Sequence, residues 1–293
     1  MTVRQIPKGL ADLTLEAYLE KAEAVILHSS ESARAAPLAR KPKGPLKVGV
    51  DLGTAYLVMV VLDEDGTPLA GEWQFAQVSR DGLVVDFIGA VDLLLGMKAR
   101  LQRRLKRDLE HAASGYPPGV PLMEVRATAN VIESCGMDCP ELIDEPSAAN
   151  LILRLQDGAI VDVGGGTTGI AVVKDGKVVY TADEATGGTH FSLVIAGSLG
   201  ISFEEAEVLK IRPEGQQRLF SVVRPVMEKV GNIASRHISK HPVDNITLVG
   251  GASAFKGMGD VVQEYTGIKT VVPQKPLFIT PLGMAMFDSN GTS

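Results

Sequence analysis

Asp51 and Asp162 each stand at the end of an apolar, β-branched run and lead into a turn rich in glycine and threonine. The first turn reads Asp-Leu-Gly-Thr-Ala, and the second reads Asp-Val-Gly-Gly-Gly-Thr-Thr. A strand that ends in aspartate and enters such a turn sets a carboxylate beside a tight loop of backbone N–H groups. Loops of this kind bind phosphate oxygens. Glycine at Gly53, Gly164, Gly165 and Gly166 lets the backbone come close to a ligand. The hydroxyls of Thr54, Thr167 and Thr168 add donors. The carboxylates of Asp51 and Asp162 suit Mg²⁺ held through its water shell. Three other segments add to the pair. Ile246–Phe255 is an apolar run entering Gly250–Gly251 and Ala252, where a nucleoside can approach the backbone near a helix start. Leu142–Leu153 places Glu145 just before Pro146, a good first helical residue. Thr280–Phe287 is a helix start of small residues that permits close helix packing.

Little else in the chain offers chemistry. Cys135 and Cys139 form a lone C-x-x-x-C, too few ligands for a structural zinc site, and read as two semi-buried thiols. His237 and His241 have a metal-capable spacing, but no third ligand lies nearby in sequence and they read as a surface pair. There is no G-x-x-x-x-G-K-[ST] loop and no dinucleotide glycine fingerprint.

The elements that must hold the two aspartates form an internal repeat. KVGVDLGTAYLVMVVLDEDGTPLAG from Lys47 matches GAIVDVGGGTTGIAVVKDGKVVYTA from Gly158. Each copy predicts strand, Gly/Thr turn, strand, Asp-Gly turn and strand, with Asp65–Gly66 and Asp175–Gly176 as the hairpin signals. Helical patterns follow both copies, one of them opened by Ser202 and Glu205 as a capping box. The sum is an α/β protein of two similar halves. If the halves pack about a pseudo-twofold, the two turns clamp one polyphosphate. Ahead of the repeat, Leu13, Leu15, Tyr18, Leu19, Ala22, Val25 and Ile26 predict an amphipathic helix within Met1–His28. Ser29–Pro45 then reads as a small, basic, Pro-rich linker. The expected division is residues 1–45 as tethered helix and linker, 46–157 and 158–280 as the two halves, and 281–293 as a helix returning to the first half.

Composition narrows the function. The chain has 293 residues, 45% hydrophobic and 22% charged, with a formal net charge of −6. A mildly acidic balance gives no footprint for nucleic acid or an anionic membrane. Arg100, Arg103, Arg104, Lys106 and Arg107 cluster on one predicted helix, but Asp108 and Glu110 dilute them and they read as a solvated face. No apolar run reaches membrane-spanning length and the start of the chain lacks a signal pattern, so a cytoplasmic protein is expected.

Taken in order, the five segments resemble the actin-like ATPase superfamily, which includes actin, DnaK-type chaperones, MreB and the sugar kinases. Asp51–Ala55 is similar to the first phosphate motif and Asp144–Ala149 to the first connecting motif. Asp162–Thr168 is similar to the second phosphate motif, Val249–Ser253 to the adenosine motif and Pro281–Ala285 to the second connecting motif. Within the superfamily, VDFIGAV after DGL, DEPSAAN, GGTHFSLVIAGSLGISFEEAE and PLFITPLGMAMF resemble the ethanolamine-utilisation protein EutJ family. That family is described as chaperone-like and is encoded with the ethanolamine ammonia-lyase pathway of bacterial microcompartments.

The resemblance implies duplicated ribonuclease-H-like halves with a nucleotide cleft between them, and ATP or ADP with Mg²⁺ as cofactors. It implies that Asp51 and Asp162 position the metal and its waters, and that Glu145 helps orient the attacking water. Gly53, Thr54, Ala55 and Gly164–Thr168 would hold phosphates, with Gly187 and Gly188 as further phosphate or ribose neighbours. Gly250, Gly251 and Ala252 would border the adenosine. Glu228 and Lys229 are weighed beside the base and read as surface charges. Three departures bear on catalysis, the first being Gly169 where DnaK-type enzymes carry an aspartate after the second phosphate motif. Glu72–Val85 offers only Arg80 where DnaK-type enzymes supply a catalytic lysine, and GGTHFS stands where they have acidic residues. The expectation is an ATP-binding, chaperone-like protein and at most a slow ATPase. Its client would be ethanolamine ammonia-lyase or a microcompartment component. A filament-forming MreB-like protein and a small-molecule kinase are the alternatives.

Overall fold

In the computed structural model, residues 13–80 and 83–289 are described, apart from the side chain of Leu122. Residues 1–12 of the N-terminal pattern, and Asp81 and Gly82 of the DG-x-x-x-DF segment, lie outside them. The described chain forms two compact units. One holds the chain up to Tyr116, Val120–Leu153 and the stretch from Phe278 on; the other holds Pro117–Gly119 and Arg154–Leu277.

The first unit contains α1 (Leu15–Val25), β1 (Ile26–His28), α2 (Ser29–Ser32), β2 (Leu46–Leu52), β3 (Tyr56–Asp63), β4 (Pro68–Phe75), the small hairpin β5 (Ser79–Arg80) and β6 (Leu83–Val84), α3 (Phe87–Leu105), β7 (Ala113–Tyr116), α4 (Leu122–Ser134), β8 (Leu142–Asp144) and α5 (Glu145–Leu153). Its main sheet runs β1-β4-β3-β2-β7-β8. β2, β3 and β4 form the antiparallel meander, and β7 and β8 add parallel to β2. The second unit contains β9 (Gly158–Val163), β10 (Thr168–Lys174), β11 (Lys177–Glu184), α6 (Gly188–Leu199), α7 (Phe203–Ile211), α8 (Pro213–Ile238), β12 (Asn245–Val249), α9 (Met258–Thr266) and β13 (Lys269–Val271). Its sheet runs β11-β10-β9-β12-β13. The chain then returns to the first unit as α10 (Ile279–Phe287).

The two sheets repeat one topology. β9 and β12 stand as β2 and β7 do, parallel neighbours beside an antiparallel meander. Local chemistry sets the turns. Asp175 and Gly176 both have positive φ (49° and 71°), the conformation a tight two-residue hairpin needs. Before Gly66 the Asp63 side chain accepts from the Thr67 N–H at 2.8 Å. The helices begin and end on signals of the same kind. The Asp86 side chain caps α3 through the Gly89 N–H at 2.9 Å. Ser202 and Glu205 exchange bonds across the first turn of α7 at 3.1 and 2.9 Å. α3 buries Ala90, Leu94, Met97, Leu101 and Leu105, a helical stripe that closes the first core over β2–β4. Each such leucine contributes about 1.5–3 kcal/mol by leaving water. The second core is built from Phe191, Ile195, Val223, Met227, Val230 and Ile246.

The N-terminal segment corrects the expectation of a tethered helix on a flexible linker. α1 buries Tyr18, Leu19 and Ala22 and packs on β4, and the Tyr18 hydroxyl donates to the Gly66 carbonyl at 3.0 Å. The chain then leaves the helical period at Ile26 and joins the sheet as β1, parallel to β4. The basic cluster is a solvated face only in part: Arg103 and Lys106 are exposed, Arg100 and Arg107 are half-buried, and Arg104 is buried. Arg103 donates to the carbonyls of Ser32 and Ala33, and Arg107 to those of Pro42 and Gly44. Arg104 donates to Val25 and Gly71, and Arg100 forks onto Glu72, which is fully buried. Of these acceptors only Gly71 lies on β4; the other carbonyls belong to Val25–Gly44, the stretch that β1 anchors beside it.

Candidate functional site

The sheets bring the predicted residues together in two clusters, one in each unit, both at the carboxyl ends of parallel strands. Ligands of α/β sheets collect at that end, where helix starts and turns converge.

In the first unit β2 ends with Asp51 and Leu52, and the turn Gly53–Ala55 leads into β3. A Cβ on Gly53 would come within 2.7 Å of the Tyr56 carbonyl, so the turn closes only with glycine there. Ala55 is buried, and its carbonyl accepts from the Ala76 N–H at 3.0 Å, which ties the turn to the end of β4. β7 is fixed beside β2 by the Ser114 hydroxyl, which donates to the Val50 carbonyl at 2.5 Å. β8 pairs with β7, Asp144 opposite Tyr116, and Glu145 then opens α5. The Asp144 side chain accepts from the Ser147 N–H at 2.9 Å and caps that helix. Burial, and then the charge of Asp144, push the Tyr116 phenol above its ordinary pKa. α10 packs on β2 and α5: a side chain at Gly49 would strike the α10 backbone, and one at Gly283 would strike the Ala148 carbonyl. α10 therefore holds the strand of Asp51 and the helix of Glu145 in one frame.

In the second unit Asp162 lies near the end of β9, paired with Gly169 of β10 and Val249 of β12. The turn that follows closes on a bond from the Gly164 N–H to the Thr167 carbonyl at 3.0 Å. Gly187 and Gly188 dock on this turn. The Gly188 and Thr189 N–H groups donate to the carbonyls of Gly164 and Gly165, both at 2.8 Å. A Cβ on Gly187 would come within 2.7–2.9 Å of those same backbone atoms. Gly250 has φ +85°, and a side chain there would run into the Asp162 carboxylate and the Val163 carbonyl. Gly251 and Ala252 continue in a 3₁₀ turn, Gly251–Ala254. Gly164–Thr167, Gly187–Gly188 and Gly250–Ala252 are thus one cluster around Asp162. The Thr168 hydroxyl departs from its expected role: it is fully buried and donates to the Thr186 carbonyl at 2.6 Å, holding the start of α6.

Sequence reasoning missed two residues of this cluster. Lys210 on α7 donates to the Gly188 carbonyl at 3.1 Å and to Glu207 Oε1 at 2.6 Å. Glu207 Oε1 also accepts from the Ser192 hydroxyl. Lys210, Glu207 and Ser192 are all buried. Glu207 Oε2 is buried with no hydrogen-bond partner. The Cβ position of Gly188 lies 3.3 Å from the Ala252 methyl and 3.4 Å from Lys210 Nζ, so the pair borders the glycine cluster. Burial pulls the Lys210 ammonium below its ordinary pKa, and Glu207 opposes that shift. In sequence an i, i+3 Glu–Lys pair looks like any solvated helix pair. Glu228, weighed beside the base, instead pairs with Arg224 at 2.8 Å on a half-exposed face. His190 Nδ1 accepts from the Gly187 N–H at 3.3 Å, a helix-start role. His237 bridges Tyr180 and Glu184 at 2.7 Å each. Among the described residues no group of three or more His, Cys, Asp or Glu could hold a metal ion. Cys135 and Cys139 are buried free thiols, raised by burial to about 11 and about 12. Among the described residues no helix is long and apolar enough to cross a membrane.

A family model described as type IV pilus assembly protein PilM matches residues 153–280, and one described as MreB/Mbl protein matches residues 74–204. The ethanolamine utilization protein EutJ of Escherichia coli (strain K12) is 43% identical over 244 residues, 83% of this chain and 86% of that protein. The crystal structure of EutJ from Carboxydothermus hydrogenoformans has a TM-score of 0.86 at 42% identity, covering 93% of this chain and 98% of that one. MreB5 of Spiroplasma citri bound to AMPPNP has a TM-score of 0.66 at 18% identity, covering 85% of this chain and 97% of that one. This last likeness is one of fold, the actin-like ATPase fold.

Proposed function

The chain belongs to the ethanolamine utilization protein EutJ family, and from that premise we propose that it is an ATP-binding, chaperone-like protein of ethanolamine utilisation. The observation that carries the nucleotide reading is the orphaned Glu207 Oε2. A buried carboxylate oxygen without a donor is costly. A ribose hydroxyl would supply the donor beside Lys210, the Gly188 carbonyl and the Ala252 methyl. In this reading Gly250, Gly251 and Ala252 border the adenosine. Gly53, Thr54 and Ala55 in the first unit, and Gly164–Thr167 with Gly187 and Gly188 in the second, hold phosphates. Asp51 in the first unit and Asp162 in the second are the carboxylates that would hold Mg²⁺ through its waters, and the ion would neutralise phosphate charge. Glu145 orients a water. The stretch Glu72–Val85 supplies no lysine, so hydrolysis is slow and the nucleotide works chiefly as a conformational signal. The client is ethanolamine ammonia-lyase or a microcompartment component, met in the cytoplasm or at the compartment.

Calorimetric titration of ATP, ADP and Mg²⁺ into wild type and Asp162→Ala, with phosphate release followed in parallel, tests the site. Binding by wild type that the variant loses is the expected result. Equal binding by both proteins would sink the assignment. Binding without release identifies a nucleotide-sensing switch, and rapid release without an acceptor identifies a working ATPase.

A further inference from the structure

The buried charges of the first unit do not balance. Glu72 on β4 is fully buried, and Arg100 forks onto both its oxygens at 2.5–3.0 Å. That pair is complete by itself. One helical turn on, Arg104 is only 5% exposed and forms no ion pair among the described residues. Its Nη1 donates to the carbonyls of Val25 and Gly71 at 3.2 and 3.3 Å. Carbonyls satisfy N–H groups, but their partial charges do not cancel a full positive one. The Arg104 Nε is buried with no partner. A lysine in such a place can give up its proton, whereas a guanidinium stays charged. Burial pulls the Arg104 pKa down and Glu72 pulls it up, the pattern of a cation short of compensation.

A second orphan lies in the same layer. Ser32, at the end of α2, is fully buried, and its hydroxyl has no partner. α2 packs on β1, β4 and α3. Those are also the elements around Arg104, which stands on α3 and bonds at β4 and at the residue before β1. The Ser32 carbonyl accepts from Arg103 Nη2 at 3.3 Å, which fixes the serine beside α3. Buried donors are almost always satisfied, and an isolated buried charge is dearer still. An anion answers both needs. The layer is buried, so the occupant is small; one positive charge is uncancelled, so it is monovalent.

We propose that a monovalent anion of chloride's size binds between α2 and α3, with the Arg104 Nε–H and the Ser32 hydroxyl as its donors. It balances the Arg100–Glu72–Arg104 cluster and ties the N-terminal segment to the first sheet.

The test uses the full chain, with chloride exchanged for gluconate, an anion too large for the layer, at fixed ionic strength. The melting temperature of wild type should rise with chloride and then level off, the mark of one site filling. Arg104→Met keeps the bulk and removes the charge, and its melting temperature should not respond. Ser32→Ala removes one donor and should need about tenfold more chloride to reach half its rise. A wild-type crystal grown in bromide should show an anomalous peak within hydrogen-bonding distance of Arg104 Nε, a reading that stands even if Arg104→Met does not fold. The proposal falls if wild type ignores the exchange, or if its melting temperature climbs without levelling off, which is a general salt effect. It falls equally if either variant responds as wild type does. Water or empty space beside Arg104 and Ser32 in the bromide crystal would overturn it as well.

Discussion

Glu207 commits one carboxylate oxygen to Ser192 and Lys210 and leaves Oε2 without a partner. If a ribose hydroxyl donates to Oε2, Glu207→Gln should weaken ATP binding about tenfold to hundredfold, the range of a hydrogen bond to a charged group. Tripolyphosphate, which lacks the ribose, should bind both proteins alike in the same titration. An equal loss for both ligands would mean that the variant had damaged the phosphate turns instead. A second residue gives a pH signature. His111 Nδ1 meets Asp288 Oδ2 at 2.8 Å, and the same oxygen accepts from the Val48 N–H at 2.9 Å. The bond to Asp288, with further pull from Glu110 and Asp138, holds the His111 pKa above its ordinary value against the cost of burial. A raised histidine pKa contributes stability that is fully present below about pH 6.5 and lost as pH rises through the folded-state value. The melting-temperature gap between wild type and His111→Gln should therefore be widest near pH 6 and narrow steadily on the alkaline side. A gap independent of pH would mean that His111 acts by packing alone. The glycines, threonines and aspartates of the turns were legible because their residue types are tied to one local geometry. Glu207 and Lys210 were not, since only the packing of α6 on α7 turns an ordinary Glu–Lys pair inward.

At the scale of elements, α10 is the piece that joins β2 to α5, and it does so through contacts too close for side chains. A Cβ at Gly283 would enter the Ala148 carbonyl, where backbone cannot yield as a flexible side chain can. Gly283→Val should therefore cost at least about 1–3 kcal/mol, the usual toll of overpacking. Thermal denaturation should show a melting temperature several degrees lower, with nucleotide affinity falling as Asp51 and Glu145 lose their common frame. A variant as stable as wild type would show that α10 shifts freely. The small-residue pattern of TPLGMAMF announced this close approach, and the β-branched runs with their Asp–Gly turns announced both meanders. β1 was hidden for a physical reason. A strand of three residues continues the apolar period of α1 without a break. The Pro- and Lys-rich stretch after it has the composition of a linker, although Arg103 on α3 and Arg107 just past its end hold it in place.

At the scale of the whole molecule, duplication raises a question of stoichiometry. Each sheet carries an aspartate and a glycine-rich turn at the carboxyl ends of its parallel strands. Two equivalent turns could serve two ligands, one per unit, or share one. The clusters are unequal in composition. The Asp162 cluster includes Gly250–Ala252 and the Glu207–Lys210 pair, which suit a nucleoside. The Asp51 cluster includes Glu145 at a helix start, which suits work at a phosphate. One ATP served by both units should titrate at about one per chain. Asp51→Ala and Asp162→Ala should then each lower affinity at that single site, and their double variant should lose less than the sum of the two, because both act on one metal–phosphate group. Two independent sites would instead give two equivalents in wild type and one in each single variant, with strictly additive losses. That result would assign a separate ligand to each unit and remove the reason for reading the duplicated turns as one nucleotide site.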